Sequence, residues 1–276
     1  MSKPKISILL ATRNRTDMLK TSLASLVDLA SDPVNLEILL AFDDDDETTF
    51  NWVQENILTD LDNKEVSYTC MSFERLGYIR LNEYYNKLAV EADGDWLFFW
   101  GDDAIMETQN WDQKIIAHSG KFRVLRALTH KEHPLAIFPI VPKAWIELFG
   151  YFSAHQLNDN WVSQVGYMAD IVETIPVNIE HDRFDLTGNN NDENFQNRPM
   201  LEGNPKDPRD FHHPNWAARR IDDVKKIIEY RNAQGEDTSW WDNVNAGTQD
   251  IWAKLKANDV NKQMVQFEIP KQRIIG

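Results

Sequence analysis

Three short apolar runs constrain this chain most: Ile6 to Ala11 (ISILLA), Leu36 to Phe42 (LEILLAF) and Trp96 to Trp100 (WLFFW), each stopping abruptly at polar residues. A strand with one wet face alternates apolar and polar side chains, so runs this continuous predict strands buried on both faces of a parallel sheet. Amphipathic stretches lie between them. Leu19, Leu23, Leu26, Val27 and Ala30 repeat at helical spacing behind Thr16, an N-cap type, and Asp17, which suits the helix dipole. Phe50, Val53 and Ile57 mark a helix over 48–57, and Leu81, Tyr84, Tyr85, Leu88 and Ala89 mark another over 79–92. Val66 to Met71, Val124 to Leu128 and Leu135 to Val141 read as further strands, and Lys143 to Phe149 as a short helix closed by Gly150. Strands alternating with helices predict a doubly wound α/β sheet, which binds ligands beyond the carboxyl ends of its strands.

Those ends are acidic. The second run leads into Asp43 to Asp46 and the WLFFW run into Gly101-Asp102-Asp103. A lone Gly-Asp-Asp is commonly a polar turn, and four adjacent aspartates are commonly a solvated one. Two acidic strand ends in one sheet instead suit a site where a divalent cation held by one or two carboxylates stabilises a leaving diphosphate. Asp43 and Asp44 are the group nearest the second strand end, and Thr12, Arg13 and Arg15 stand at the end of the first.

The order of these pieces resembles the family-2-type GT-A glycosyltransferases over the first ~180 residues. ISILLATRNR resembles that family's first strand and nucleotide-contacting turn, LLAFDDDD its second strand ending in the Asp pair, and NKLAVEADGDWLFFWGDDA its Asn-to-Gly spacing ahead of the Asp-x-Asp motif. The resemblance implies a GT-A Rossmann-like mixed sheet and a nucleotide-sugar donor, by default a UDP-sugar. It implies Mn²⁺ or Mg²⁺ at Asp103 and His181, and donor contacts from Thr12, Arg13, Arg15, Asp43, Asp44, Asn86 and Asp102. It also implies an inverting transfer to an acceptor hydroxyl of a glycan or other molecule, with Asp159 as general base in Leu157-Asn-Asp-Asn-Trp161, where an N-cap role is the competing reading. Two positions depart from the pattern. Gly101 stands where the family has its first Asp, and Tyr85 stands where an Arg often precedes the Asn, leaving Arg80 or Arg75 to reach the diphosphate. Glu147, Asp170 and Glu180 are the alternative carboxylates, and the adjacent His212 and His213 read as loop histidines.

From about residue 182 the pattern changes. Gly188-Asn-Asn-Asn-Asp-Glu-Asn194 and Pro199, Pro205, Pro208 and Pro214 form a long irregular stretch, and such stretches are usually functional loops or linkers. The expected division is a catalytic domain over 1–182 and an extension over 183–276, with an acceptor-side loop at 183–215 and helices over 216–230 and 249–257.

A net charge of −15 argues against a nucleic-acid partner, whose phosphates need Lys and Arg. The absence of G-x-G-x-x-G disfavours a dinucleotide oxidoreductase. ATRNRTD after the first strand lacks the Gly-rich loop of a sugar nucleotidyltransferase, and a non-catalytic nucleotide-sugar or glycan-binding module is the reading that Gly101 keeps open. The 10 Trp suit either a core or a sugar-lined groove. Cys70 reads as an inert thiol. No run reaches the ~18 apolar residues of a membrane span, and the start lacks a signal-peptide pattern, so the expectation is a cytoplasmic protein without an integral membrane segment.

Overall fold

The unbroken apolar runs form the inner strands of the sheet. In the computed structural model, which describes residues 5–129, 135–239 and 241, β1 (Ile6–Ala11), β2 (Leu36–Asp43), β3 (Ser67–Phe73) and β4 (Trp96–Trp100) run parallel in the order β3-β2-β1-β4. The sheet continues from β4 through β7 (Pro139–Pro142), β6 (Val124–Thr129) and β8 (Val172–His181) to β5 (Ala104–Met106). In this half only β6 and β8 pair in parallel, so the eight-stranded sheet is mixed, as expected.

The helices are α1 (Thr16–Leu29), α2 (Glu47–Asn56), α3 (Leu58–Asn63), α4 (Leu81–Glu91), α5 (Trp111–Ile116), α6 (Lys143–Phe149), α7 (Asn158–Met168), the short α8 (Phe184–Thr187) and α9 (Glu193–Gln196), and α10 (Pro214–Ala233). Successive strand residues point to opposite faces, which splits the apolar side chains into two cores. Ile6, Ile8 and Leu10 of β1 pack with α1, α2, α3 and α5, whereas Leu9, Leu39 and Leu97 pack with α4, α6, α7 and α10. Because α10 contributes Val224, Ile227 and Ile228 to the second core, the stretch after residue 182 returns to the sheet layer.

Element boundaries moved locally. Arg15, not Thr16, is the N-cap of α1, and a 3₁₀ turn at Tyr78–Arg80 precedes α4, so that helix starts at Leu81. β5 and α5, three and six residues long, carry too few periods to be read from spacing. Gly150 closes α6 with φ +76°, the left-handed cap that glycine adopts without strain. The helix expected over 249–257 lies outside the described residues. No helix among the described residues is long and apolar enough to cross a membrane.

Cys70 on β3 is half-buried, and burial pushes its thiol up to about 11. Only the thiolate attacks disulfides, and the loss of thiolate outweighs its greater nucleophilicity at high pKa, so at pH 8 it should react with an aromatic disulfide reagent about tenfold more slowly than a free cysteine. A stopped-flow trace at the free-thiol rate would contradict that environment.

Candidate active site

In the order β3-β2-β1-β4, β1 lies between β2 and β4, and the crevice at such a reversal is where an open α/β sheet binds ligands. The carboxyl ends of these strands deliver Thr12, Asp43, Asp102 and Asp103 to one cavity of about 860 Å³. A second register brings in a residue from β8. β5 pairs antiparallel with β8 so that Ala104 opposes His181, and Asp182 N donates to the Asp103 carbonyl at 2.8 Å. His181 Nε2 consequently lies 3.4 Å from Asp103 Oδ2.

Asp159 enters the cavity from the first turn of α7. The turn before it is held by His155, which is fully buried and whose Nδ1 accepts from Leu157 N at 3.1 Å. The ring proton is then on Nε2 and donates to the Arg209 carbonyl at 3.0 Å. Burial lowers this imidazole to about 4, so the ring stays neutral and the turn keeps its geometry across the physiological range.

The charges interlock. Arg15 donates to Asp102 Oδ1 at 2.8 Å and bidentately to Asp192 at 2.6 and 2.9 Å, and it stands 4.0 Å from Asp103. Asp102 also accepts from Thr12 Oγ1 at 2.9 Å. Burial pushes the Asp102 carboxyl up to about 6 against the pull of Arg15. Asp103 is desolvated too, but its hydrogen bond and charge contact with His181 outweigh that and hold it below the usual carboxylate range. Asp43 takes Arg13 Nη1 at 3.0 Å and the Tyr84 hydroxyl, and burial together with that bond pushes Tyr84 up to about 12. Aromatic lining comes from Tyr78, Tyr84, Tyr85, Phe99 and Phe138. Trp96, Trp100, Trp111, Trp145 and Trp161 are fully buried, and no described Trp lines the cavity, so tryptophan serves the core here.

Thr12, Arg13, Arg15, Asp43, Asp102, Asp103, Asp159 and His181 therefore share one cavity, but three expected donor contacts do not reach it. Asp44 is exposed beyond the strand end, where its backbone N–H is tied to the Phe73 carbonyl. Arg80 pairs with Glu83 at 2.6 Å on the outer surface of α4, while Arg75 lines the cavity instead. Asn86 points into the protein, accepting from Phe152 N and Ser153 N and donating to the Ser153 carbonyl at 2.9 Å; it pins the turn behind the site. Glu147, Asp170 and Glu180 are also outside the lining. Leu157 occupies the N-cap of α7 and Asp159 is the second helical residue, so Asp159 is not the helix cap. His213 caps α10, its Nδ1 accepting from Asn215 N at 3.2 Å.

Sequence reasoning missed the wall formed by Arg198 to Glu202, and it missed Asp192. Asn194 Nδ2 donates to the Arg13 carbonyl at 2.7 Å, and with the Arg15–Asp192 pair this fastens the post-182 segment across the first strand end. Nothing but the irregular composition of 183–215 could have signalled it.

One carboxylate and one imidazole suit Mn²⁺ and, through the carboxylate, Mg²⁺. Among the described residues no three His, Cys, Asp or Glu side chains gather closely enough to hold an ion alone. Asp103 and His181 thus fit as a partial set that ligand and water oxygens would have to complete, and not as a closed protein cage. Gly101 accommodates this arrangement. A Cβ there would lie 2.6 Å from Asp103 Oδ1, so the missing side chain leaves room for the Asp103 carboxylate.

Comparison with solved structures gives the fold of GT-A-type glycosyltransferases. The mannosyltransferase PcManGT from Pyrobaculum calidifontis, in complex with GDP-Man and Mn²⁺, is similar at 12% identity and TM-score 0.54, covering 96% of this chain and 84% of its own. Residues 1–349 of S. aureus TarS, in complex with UDP-GlcNAc, are similar at 12% identity and TM-score 0.55, covering 81% of this chain and 66% of theirs. Against a longer S. aureus TarS chain the match spans 36% of that protein. No family model and no curated protein matches.

Proposed function

We propose that the protein is a glycosyltransferase that moves a sugar from a nucleoside-diphosphate donor, by default a UDP-sugar, to an acceptor hydroxyl with inversion. The observation that carries the reading is the convergence of Asp43, Asp102, Asp103, His181 and Asp159 on one cavity. Neighbours of the same fold bind GDP-Man and UDP-GlcNAc, which supports this donor class.

In this reading Thr12, Arg13, Asp43 and Arg75 surround the nucleoside, and Arg15 and Arg198 provide positive charge for the diphosphate. Arg198 suits that task because it lines the cavity with its guanidinium 5.2 Å from the Phe195 ring centroid. A divalent cation bound by Asp103 and His181 supplies Lewis-acid neutralisation of the leaving diphosphate. Asp159 removes the acceptor hydroxyl proton as the acceptor oxygen bonds to the anomeric carbon and the bond from that carbon to the phosphate oxygen breaks, with the electron pair leaving on the nucleoside diphosphate. Residues 1–182 act as the donor-binding domain and the extension after them closes the acceptor side.

A thermal-shift panel of UDP, GDP and their sugars, each with Mn²⁺ or with chelator, tests the reading. At a ligand concentration near 100 times Kd the midpoint should rise by about 5 °C with Mn²⁺, and hardly at all in chelator, because a −15 protein repels a bare diphosphate. Asp103→Ala should lose the Mn²⁺-dependent part of the shift and keep its own melting temperature within a few degrees. Equal shifts in chelator and Mn²⁺ would remove the cation from the proposal, and no shift with any nucleotide would remove the donor.

A further inference from the structure

Glu202 lies on the same wall as Asp159, although 43 residues separate them in the chain. Asn160 Nδ2 donates to Glu202 Oε1 at 2.9 Å, and His212 Nε2 stands 3.7 Å from the same oxygen. These contacts fix the carboxylate beside the first turn of α7 and leave its side chain 25% exposed. An ionised carboxylate only accepts hydrogen bonds and has about four lone-pair sites, so Glu202 keeps capacity for a ligand donor after Asn160 is served. Burial pushes Glu202 upward, with the Asp159 charge adding to it, and burial raises Asp159 as well. Two desolvated carboxylates in one cavity, near enough for the charge of Asp159 to act on Glu202, offer acceptor capacity that a ligand's donors can fill.

The mouth of the cavity adds an apolar rim. Met200 is 92% exposed, and Tyr78 and Ile79, at 37% and 42%, line the same cavity. A sugar ring or polyol has this combination: vicinal hydroxyls that donate and C–H surfaces that pack on apolar and aromatic side chains.

We propose that Glu202 sets acceptor specificity by holding a hydroxyl next to the one that Asp159 deprotonates, so that the acceptor is a polyhydroxylated molecule, a sugar or polyol, rather than a lone alcohol such as a serine or threonine side chain. The proposal rests on the transferase reading. In the transfer the Glu202 carboxylate gains and loses no proton; the reacting hydroxyl gives its proton to Asp159, and the neighbouring one stays intact.

The test uses the full chain with Mn²⁺ and a nucleotide sugar that it binds in the thermal-shift panel. Donor breakdown is measured with water alone and then with ribitol, methyl glucoside or N-acetylthreonine amide as acceptor. The polyols should capture the sugar and the threonine derivative should not. Glu202→Gln should raise KM for the polyols about tenfold or more while kcat changes by less than about threefold, and Glu202→Asp should recover part of the loss. Four results overturn the proposal: transfer to the threonine derivative as efficient as to the polyols; no polyol transfer from a chain that hydrolyses donor; parental KM in Glu202→Gln; or loss of kcat with every acceptor, which would make Glu202 itself the base. If Glu202→Gln does not fold, the Glu202→Asp comparison carries the test. A parent chain that neither binds nor breaks down any nucleotide sugar refutes the transferase reading, and this inference falls with it.

Discussion

Asp159→Asn is expected to lower sugar transfer by a factor of about 10² to 10⁴, the range for loss of a general base, while donor affinity and the Mn²⁺ response persist. The variant keeps the shape of the side chain and removes its basicity. Its structural cost should be small, because Leu157 is the N-cap of α7 and that helix has no side-chain cap. The first-turn charge that is lost is one that burial already disfavours, so its removal costs the fold little. The pH dependence follows from burial, which raises the Asp159 carboxyl above its ordinary value of ~3.9. The base must be ionised, so the parental rate should fall with acid through a midpoint above that value. For stability the sign is the reverse. A raised folded-state pKa stabilises the protein below the unfolded pKa, and that contribution fades as pH rises through the folded one. Asp159→Asn should flatten this component in denaturant titrations across the acid range. Transfer at the parental rate would end the base assignment whatever the stability.

Gly94→Ala should have the largest effect on stability, a loss of about 3 kcal/mol or more, the upper end for overpacking. An added Cβ would lie 2.5 Å from Ser7 Oγ, 2.6 Å from Ser7 N and 3.0 Å from the Ile6 carbonyl carbon. Two of these are backbone atoms of β1, which is buried between β2 and β4 and cannot yield without shearing the sheet. The third belongs to a buried network: Ser7 donates to Glu37 and accepts from Gly94 N at 2.8 Å, and Glu37 also accepts from Asp93 N at 2.9 Å. Urea unfolding read by Trp fluorescence measures the change. A midpoint near the parental one would mean that β1 and the turn before β4 are not packed this tightly. The glycine that carries the Asn-to-Gly resemblance thus has a packing reason of its own, independent of any contact with donor.

Local signals determined much of this protein. Apolar runs identified β1 and β4 to the residue, because a strand buried on both faces is apolar nearly throughout; the buried Ser7 of β1 is accommodated by its hydrogen bonds to Glu37 and Gly94. The 3.6-residue period located α1, α2 and α4 to within two residues, and the acidic residues at the ends of β2 and β4 marked the end of the sheet where the cavity opens. The tertiary structure decided which side chains meet. β5 is three residues long and has no periodicity to read, yet its antiparallel register with β8 sets His181 beside Asp103. Asn86 and Asp44 each directly follow a cavity-lining residue, Tyr85 and Asp43, and their orientation depends on the turn at 152–153 and on the pairing of β2 with β3. Arg15, Asp192, Arg198 and Glu202 converge from segments up to 187 positions apart. Spacing along a chain encodes which face of its own element a residue occupies, whereas a site built from several elements depends on register and packing between them, and those are set by the folded sheet as a whole.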